Sequence, residues 1–152
     1  MKPLRCRHRI RVDAPVERAF MYFTPAGESH WVEGWQPAYL HPDDGRTEAG
    51  MVFTTGAGPE VTVWTLADFD RSTHRSRYLR CTPASRLAVV EIACRPLDAD
   101  RTEVDVSYTL TALNAGAEPA LVAFGAGFTA MIDGWAARIA ACREHLLAVE
   151  LR

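Results

Sequence analysis

The sequence predicts an α+β fold, with a curved antiparallel sheet of about seven strands wrapped around a long C-terminal helix and two short helices after the first strand. Three observations predict it. Residues 5–12 alternate charged and inward-type side chains, residues 38–113 break into six short strand-like segments, and apolar residues recur three or four apart from Leu121 to Leu146.

In the first segment Arg5, Arg7, Arg9 and Arg11 alternate with Cys6, His8, Ile10 and Val12, the period of two expected of a half-buried strand. That parity turns His8 inward. Asp13, Pro15 and the apolar residues through Phe23 then read as the start and body of a short helix. Pro25 and Gly27 break it, and Glu28 to Val32 fit one further turn before Gly34-Trp35-Gln36-Pro37 redirects the chain. The expected strands come next, at Ala38–His41, Met51–Thr55, Glu60–Phe69, His74–Thr82, Arg86–Arg95 and Thr102–Leu113. Between them stand turn formers such as Asp43-Asp44-Gly45, Gly56-Ala57-Gly58-Pro59 and Pro83-Ala84-Ser85, so sequential hairpins and an antiparallel sheet result. Val104, Val106, Tyr108 and Leu110 share one face of the last strand, opposite Glu103, Asp105, Ser107 and Thr109. Pro119 opens the terminal helix, whose stripe runs through Phe124, Phe128, Met131, Ile132, Trp135 and Ile139. A helix of about 30 residues would reach roughly 45 Å, and only a concave sheet offers it a partner of that length.

At 152 residues, with 48% hydrophobic and 24% charged side chains, the chain fits one domain spanning residues 1–152. A formal charge of −2 gives no general attraction to nucleic acid or anionic lipid. The four cysteines, Cys6, Cys81, Cys94 and Cys142, form no C-x-x-C pair, which suits a reducing compartment. No segment is read as approaching the roughly 20 apolar residues of a membrane span, so a cytoplasmic location is expected.

Ile10 to Phe20, Trp31 with Gly34-Trp35, and the terminal Met131-Ile132-Asp133-Gly134-Trp135 resemble the SRPBCC superfamily, which joins START lipid-transfer domains, birch-pollen allergens and polyketide cyclase/dehydrase proteins. The resemblance covers nearly the whole chain and implies the helix-grip fold. It also implies a hydrophobic ligand held between sheet and terminal helix, and in some members aldol-type cyclisation or dehydration there.

No H-E-x-x-H or paired-cysteine spacing points to a metal, and no G-x-S-x-G elbow to a serine hydrolase. Gly56 to Gly58 leads into Pro59 and a strand, so it reads as a hairpin turn. The inward imidazole of His8 either completes a hydrogen-bonded core or orients a ligand. Tyr108 is either packing or a phenolic donor. Trp31, Trp35 and Trp64 suit a flat aryl ligand or fill a small core. Gly125 and Gly127 either leave room above the sheet or break the helix. The arginine row faces solvent and pairs with Glu103 and Asp105 if the first and last strands are neighbours.

The resulting expectation is a binding domain for a small hydrophobic or aromatic molecule, without cofactor or metal. Its ligand-binding residues are His8, Trp31, Trp35, Trp64, Tyr108, Phe124, Phe128, Met131 and Trp135. The alternatives are a cyclase/dehydratase-type enzyme using His8 or His30 as base, and a protein-interaction domain resembling heat-shock ATPase activators. A homodimer is left open.

Overall fold

A computed structural model describes residues 1–152. The alternation of the first segment becomes strand β1 (Leu4–Val12), with its arginines exposed and Ile10 and Val12 buried. Two short helices succeed it, α1 (Val16–Met21) and α2 (Pro25–Glu28). Strands β2 (Ala38–His41), β3 (Val52–Thr55), β4 (Thr62–Asp70), β5 (Arg75–Thr82), β6 (Arg86–Asp98) and β7 (Arg101–Ala112) come next. All pair antiparallel in the order β1-β7-β6-β5-β4-β3-β2. Each expected strand exists within three residues of its expected bounds.

Because β7 closes back on β1, the outer face carries the expected charge pairing. Arg7 and Arg9 both bind Asp105, Arg9 at 3.2 Å, whereas Glu103 pairs with Arg95 of β6 at 2.9 Å. The inner face is the core, from Val104, Val106 and Leu110 of β7 across to Leu66 and Phe53, with α1 laid against β6 and β7. Two buried side chains tie the helical corner to the sheet. Tyr78 donates to the Phe23 carbonyl at 3.0 Å, and Thr102 donates to the Ala14 carbonyl at 2.8 Å.

The terminal helix is α3 (Glu118–Ala141), succeeded after Cys142 by the short α4 (Arg143–Ala148). With 24 residues it reaches about 36 Å, shorter than the sequence suggested, and it runs unbroken through Gly125. Nor does Gly125 open space over the sheet. A Cβ there would stand 2.8 Å from Leu4 Cδ2, so the glycine lets α3 settle closely on β1, while Gly127 faces open solvent. The buried stripe is Leu121, Phe128, Ile132 and Ile139; Phe124, Met131 and Trp135 are half-buried beside it. One further expectation is corrected. The helical stretch Ala115–Ala141, which holds an 18-residue window of mean hydropathy 1.4, is long and apolar enough by length and composition to cross a membrane, because alanine and glycine occupy much of its exposed side. Here its apolar stripe lies on the sheet.

Candidate functional site

The corner that places the key carboxylate is built by Thr24 and Gly27. Thr24 caps α2, its hydroxyl accepting from the Gly27 amide at 3.0 Å and donating to the Met21 carbonyl at 2.7 Å. A Cβ on Gly27 would stand 2.1 Å from the Met21 oxygen, so only glycine allows α2 to fold back on α1 this tightly. That turn carries Glu28, the last residue of α2, over the inner face of the sheet. Trp31 and Trp35 anchor the segment leading to β2, their indole nitrogens donating to the carbonyls of Tyr22 (2.8 Å) and Pro25 (2.9 Å).

Beneath this corner the strand registers set out an aromatic wall. Phe53, Trp64, Arg80, Ala88 and Leu110 stand side by side across β3, β4, β5, β6 and β7. The Phe53 and Trp64 rings stack at 5.5 Å and 9°, and the Trp35 ring meets both edge-on at 6.0 and 5.9 Å. The Arg80 guanidinium lies over the Trp64 ring, 4.7 Å from its centroid, in cation–π geometry. Tyr78 and Tyr108 occupy the next row, and Tyr39 leans on Phe53.

These groups perturb one another. Burial pushes the Glu28 carboxyl from 4.5 up to about 8, with the charge of Arg80 offsetting part of the effect. Burial, and then Glu28, raises Tyr39; burial, Glu28 and Tyr39 raise Tyr78. Tyr108 rises to about 12 through burial, against the opposing pull of Arg80. At neutral pH the site therefore presents a protonated carboxylic acid, three phenols and a guanidinium inside an aromatic frame. Glu28 and Arg80 both keep partial solvent contact, so they are within reach of a ligand. A carboxyl poised near neutrality can donate or accept a proton.

The expected site residues separate into groups. Trp35 and Trp64 belong to the Glu28–Arg80 wall. Tyr108 joins that wall to the helix, its ring 5.4 Å from both Phe124 and Phe128, which are themselves 5.9 Å apart. Trp31 and Trp135 form a separate cluster with Phe23, the two indoles 5.9 Å apart. Met131 packs half-buried against the core. His8 points inward as its parity requires, yet its Nε2 bonds Asp133 of α3 at 2.7 Å with the side chain 27% exposed. His30 bonds His145 of α4, Nδ1 to Nε2, at 2.9 Å. No group of three or more His, Cys, Asp or Glu side chains converges as a metal site would need.

Sequence reasoning missed Glu28 and Arg80. The signal for Arg80 was present, since it shares inward parity with Ser76, Tyr78 and Thr82. For Glu28 there was none, because a helix of four residues has no face to read.

The principal hollows lie elsewhere. Two on the outer sheet face, of about 430 and 320 Å³, are lined largely by arginines and acidic residues, and one of about 360 Å³ opens beside His30 and Trp31. The resemblance implied a ligand held between the sheet and α3, and there the Tyr108–Phe124–Phe128 rings and the Gly125–Leu4 contact bring side chains together.

No family model matches the chain, and no curated protein matches it by sequence. Solved structures do match it. The hypothetical protein jhp0584 from Helicobacter pylori is 14% identical, with 90% of this chain and 88% of that one covered and a TM-score of 0.66. Norcoclaurine synthase from Thalictrum flavum, in complex with dopamine and hydroxybenzaldehyde, is 14% identical over 91% and 87% of the two chains, TM-score 0.63. The Zhui aromatase/cyclase from Streptomyces sp. R1128 is 17% identical over 74% and 70%, TM-score 0.56. Identities this low show the fold alone, the helix-grip arrangement of a curved antiparallel sheet and a long C-terminal helix.

Proposed function

We propose that this chain binds a small hydrophobic or aromatic molecule on the inner face of its sheet, between the Trp35, Phe53 and Trp64 rings and the Glu28–Arg80 pair. The observation that carries the reading is geometric: a half-buried guanidinium, Arg80, lies on the Trp64 ring within the stacked Phe53, Trp64 and Trp35 frame, with the half-buried Glu28 carboxyl close enough to feel its charge. Polar groups this few, converging in an apolar frame, are the usual composition of a small-molecule site. Tyr108, Phe124 and Phe128 form its back wall; Trp31 and Trp135, clustered with Phe23, Met131 on α3, and His8, bonded to Asp133, are groups outside this wall that a longer ligand would meet. The mouth is at Trp35 and Tyr39, both half-buried. Entry requires these side chains to swing, since the inner face is otherwise closed.

The second reading is an acid–base enzyme of the cyclase/dehydratase type. Two structural neighbours favour it, one named an aromatase/cyclase and one a synthase holding an aromatic amine and an aldehyde. In that case Glu28 supplies the proton transfer that the sequence assigned to His8 or His30, both engaged with other side chains. Either role is placed in the cytoplasm, invokes no cofactor, and is compatible with a monomer or a homodimer.

Fluorescence titration with an anilinonaphthalene dye and a panel of bicyclic aromatics tests the binding reading. Saturable one-to-one binding is expected in the parent, weakened at least tenfold by Trp35→Ala and unchanged by Val122→Ala on the exposed side of α3. No binding from the panel, or equal effects of the two substitutions, refutes it.

A further inference from the structure

Five of the ten arginines of the sheet have a counter-charge, Arg101 with Asp98 among them. Arg7 and Arg9 have Asp105, Arg95 has Glu103, and Arg77, on the same strand as Arg80, has Glu91 at 3.6 Å. Arg80 differs in place and in partners. It is on the inner face, half-buried, with its guanidinium on the Trp64 ring and the small Ala88 as its neighbour on β6. No carboxylate stands at ion-pair distance from it. Glu28, the acid whose charge it feels, is protonated at neutral pH and cannot neutralise it. The Tyr108 hydroxyl is close enough to be influenced by it but is a neutral phenol.

A guanidinium partly withdrawn from bulk water without a counter-charge is unfavourable, and an anionic ligand would offset that cost. Arginine also presents a planar fork of donors that matches the two oxygens of a carboxylate. Once Trp35 and Tyr39 swing aside, a ring placed against Trp64 and Trp35 would hold its carboxylate beside that fork.

We propose that the ligand of this site is a small planar aryl carboxylate, its anionic end on Arg80 and its ring against Trp64 and Trp35. The proposal rests on the binding function above and names the ligand's class. Glu28 adds a condition. While protonated it can donate a hydrogen bond to the carboxylate, and once ionised it repels the ligand and competes for Arg80. The other titratable groups facing the pair, Tyr39 from β2, Tyr78 from β5 and Tyr108 from β7, all have raised values and stay neutral through that transition. Affinity for the anion should therefore fall as pH passes about 8.

Calorimetric titration with 2-naphthoate and its neutral isostere 2-naphthamide separates the claims. The parent should bind the acid at least tenfold more tightly than the amide at pH 6.5, and lose that preference at pH 9. Arg80→Gln should bind both alike, Arg80→Lys should restore only part of the preference, and Glu28→Gln should keep the preference at pH 9. Arg75→Gln, on the outer face, should change nothing. If the parent binds the amide as tightly as the acid, the anion proposal is overturned while the binding function stands. Binding of neither compound overturns both, and loss of preference in Arg75→Gln instead of Arg80→Gln moves the anion to the outer face and overturns the proposal. Comparing acid and amide in the parent does not depend on any variant folding.

Discussion

Replacing Glu28 by Gln should stabilise this protein, and the gain should grow with pH. In the folded chain the carboxyl holds its proton up to about 8, against 4.5 ordinarily, so between those values the folded state binds a proton that the unfolded state has released. Stability rises with pH where the unfolded state binds more protons; here the folded state binds more, so this group's contribution is greatest below 4.5 and is lost as pH climbs to about 8. At about 1.4 kcal/mol per tenfold change in proton affinity the limit is on the order of 5 kcal/mol. Partial solvent contact reduces this to an expected loss of about 2 to 3 kcal/mol. Gln keeps the shape and cannot ionise. Urea unfolding of both proteins at intervals from pH 5 to 9 should give curves that diverge steadily to about pH 8 and then run parallel. The lowered carboxyls Asp70, Asp98 and Asp105 lose their charge only below 3.8 and are common to both. Curves that stay parallel from pH 5, or a variant that is less stable at pH 8, would refute the interior placement of this carboxyl.

Trp31→Ala should cost about 3 to 5 kcal/mol by urea unfolding, since the indole is 5% exposed and donates to the Tyr22 carbonyl; a change under about 0.5 kcal/mol would deny it a core role. The two α3 glycines should behave oppositely in thermal melts. Gly127→Ala, facing open space, should gain up to about 1 kcal/mol from helix propensity, whereas Gly125→Ala should gain nothing or lose stability against Leu4. The His30 imidazole is held below 6.5 by burial and by His145, so His145→Ala should raise its NMR titration midpoint; an unmoved midpoint would deny the coupling.

Much of the architecture was legible because it rests on local periodicity. The alternation of Arg5 to Val12 set the register of β1, and with it the inward direction of His8, and the alternation of β7 placed Tyr108 on the core face. The turn formers between strands gave the hairpin order, because each loop announces its own backbone requirement. The site was less legible, since its depth comes from packing between distant elements. Glu28 looked like one more solvated carboxylate in a helical turn, and only the fold of α2 onto α1 at Gly27 carries it over the sheet. His30 looked free to act as a base until α4 brought His145 against it. Gly125 was misread for a related reason, because an absent side chain in sequence does not say whether a neighbour fills the space, and Leu4 does.

The central claim is that a ligand binds against the Trp35–Trp64 wall of the inner face. The four tryptophan indole N–H signals in a proton–nitrogen NMR spectrum report on it directly, since Trp64 and Trp35 donate to Thr55 and Pro25 while Trp31 is anchored in the neighbouring cluster. Titration with 2-naphthoate should shift the Trp35 and Trp64 indole signals most and with one common dissociation constant. Shifts confined to residues of the outer face such as Arg75 and Arg95, with all four indole signals unmoved, would contradict the account.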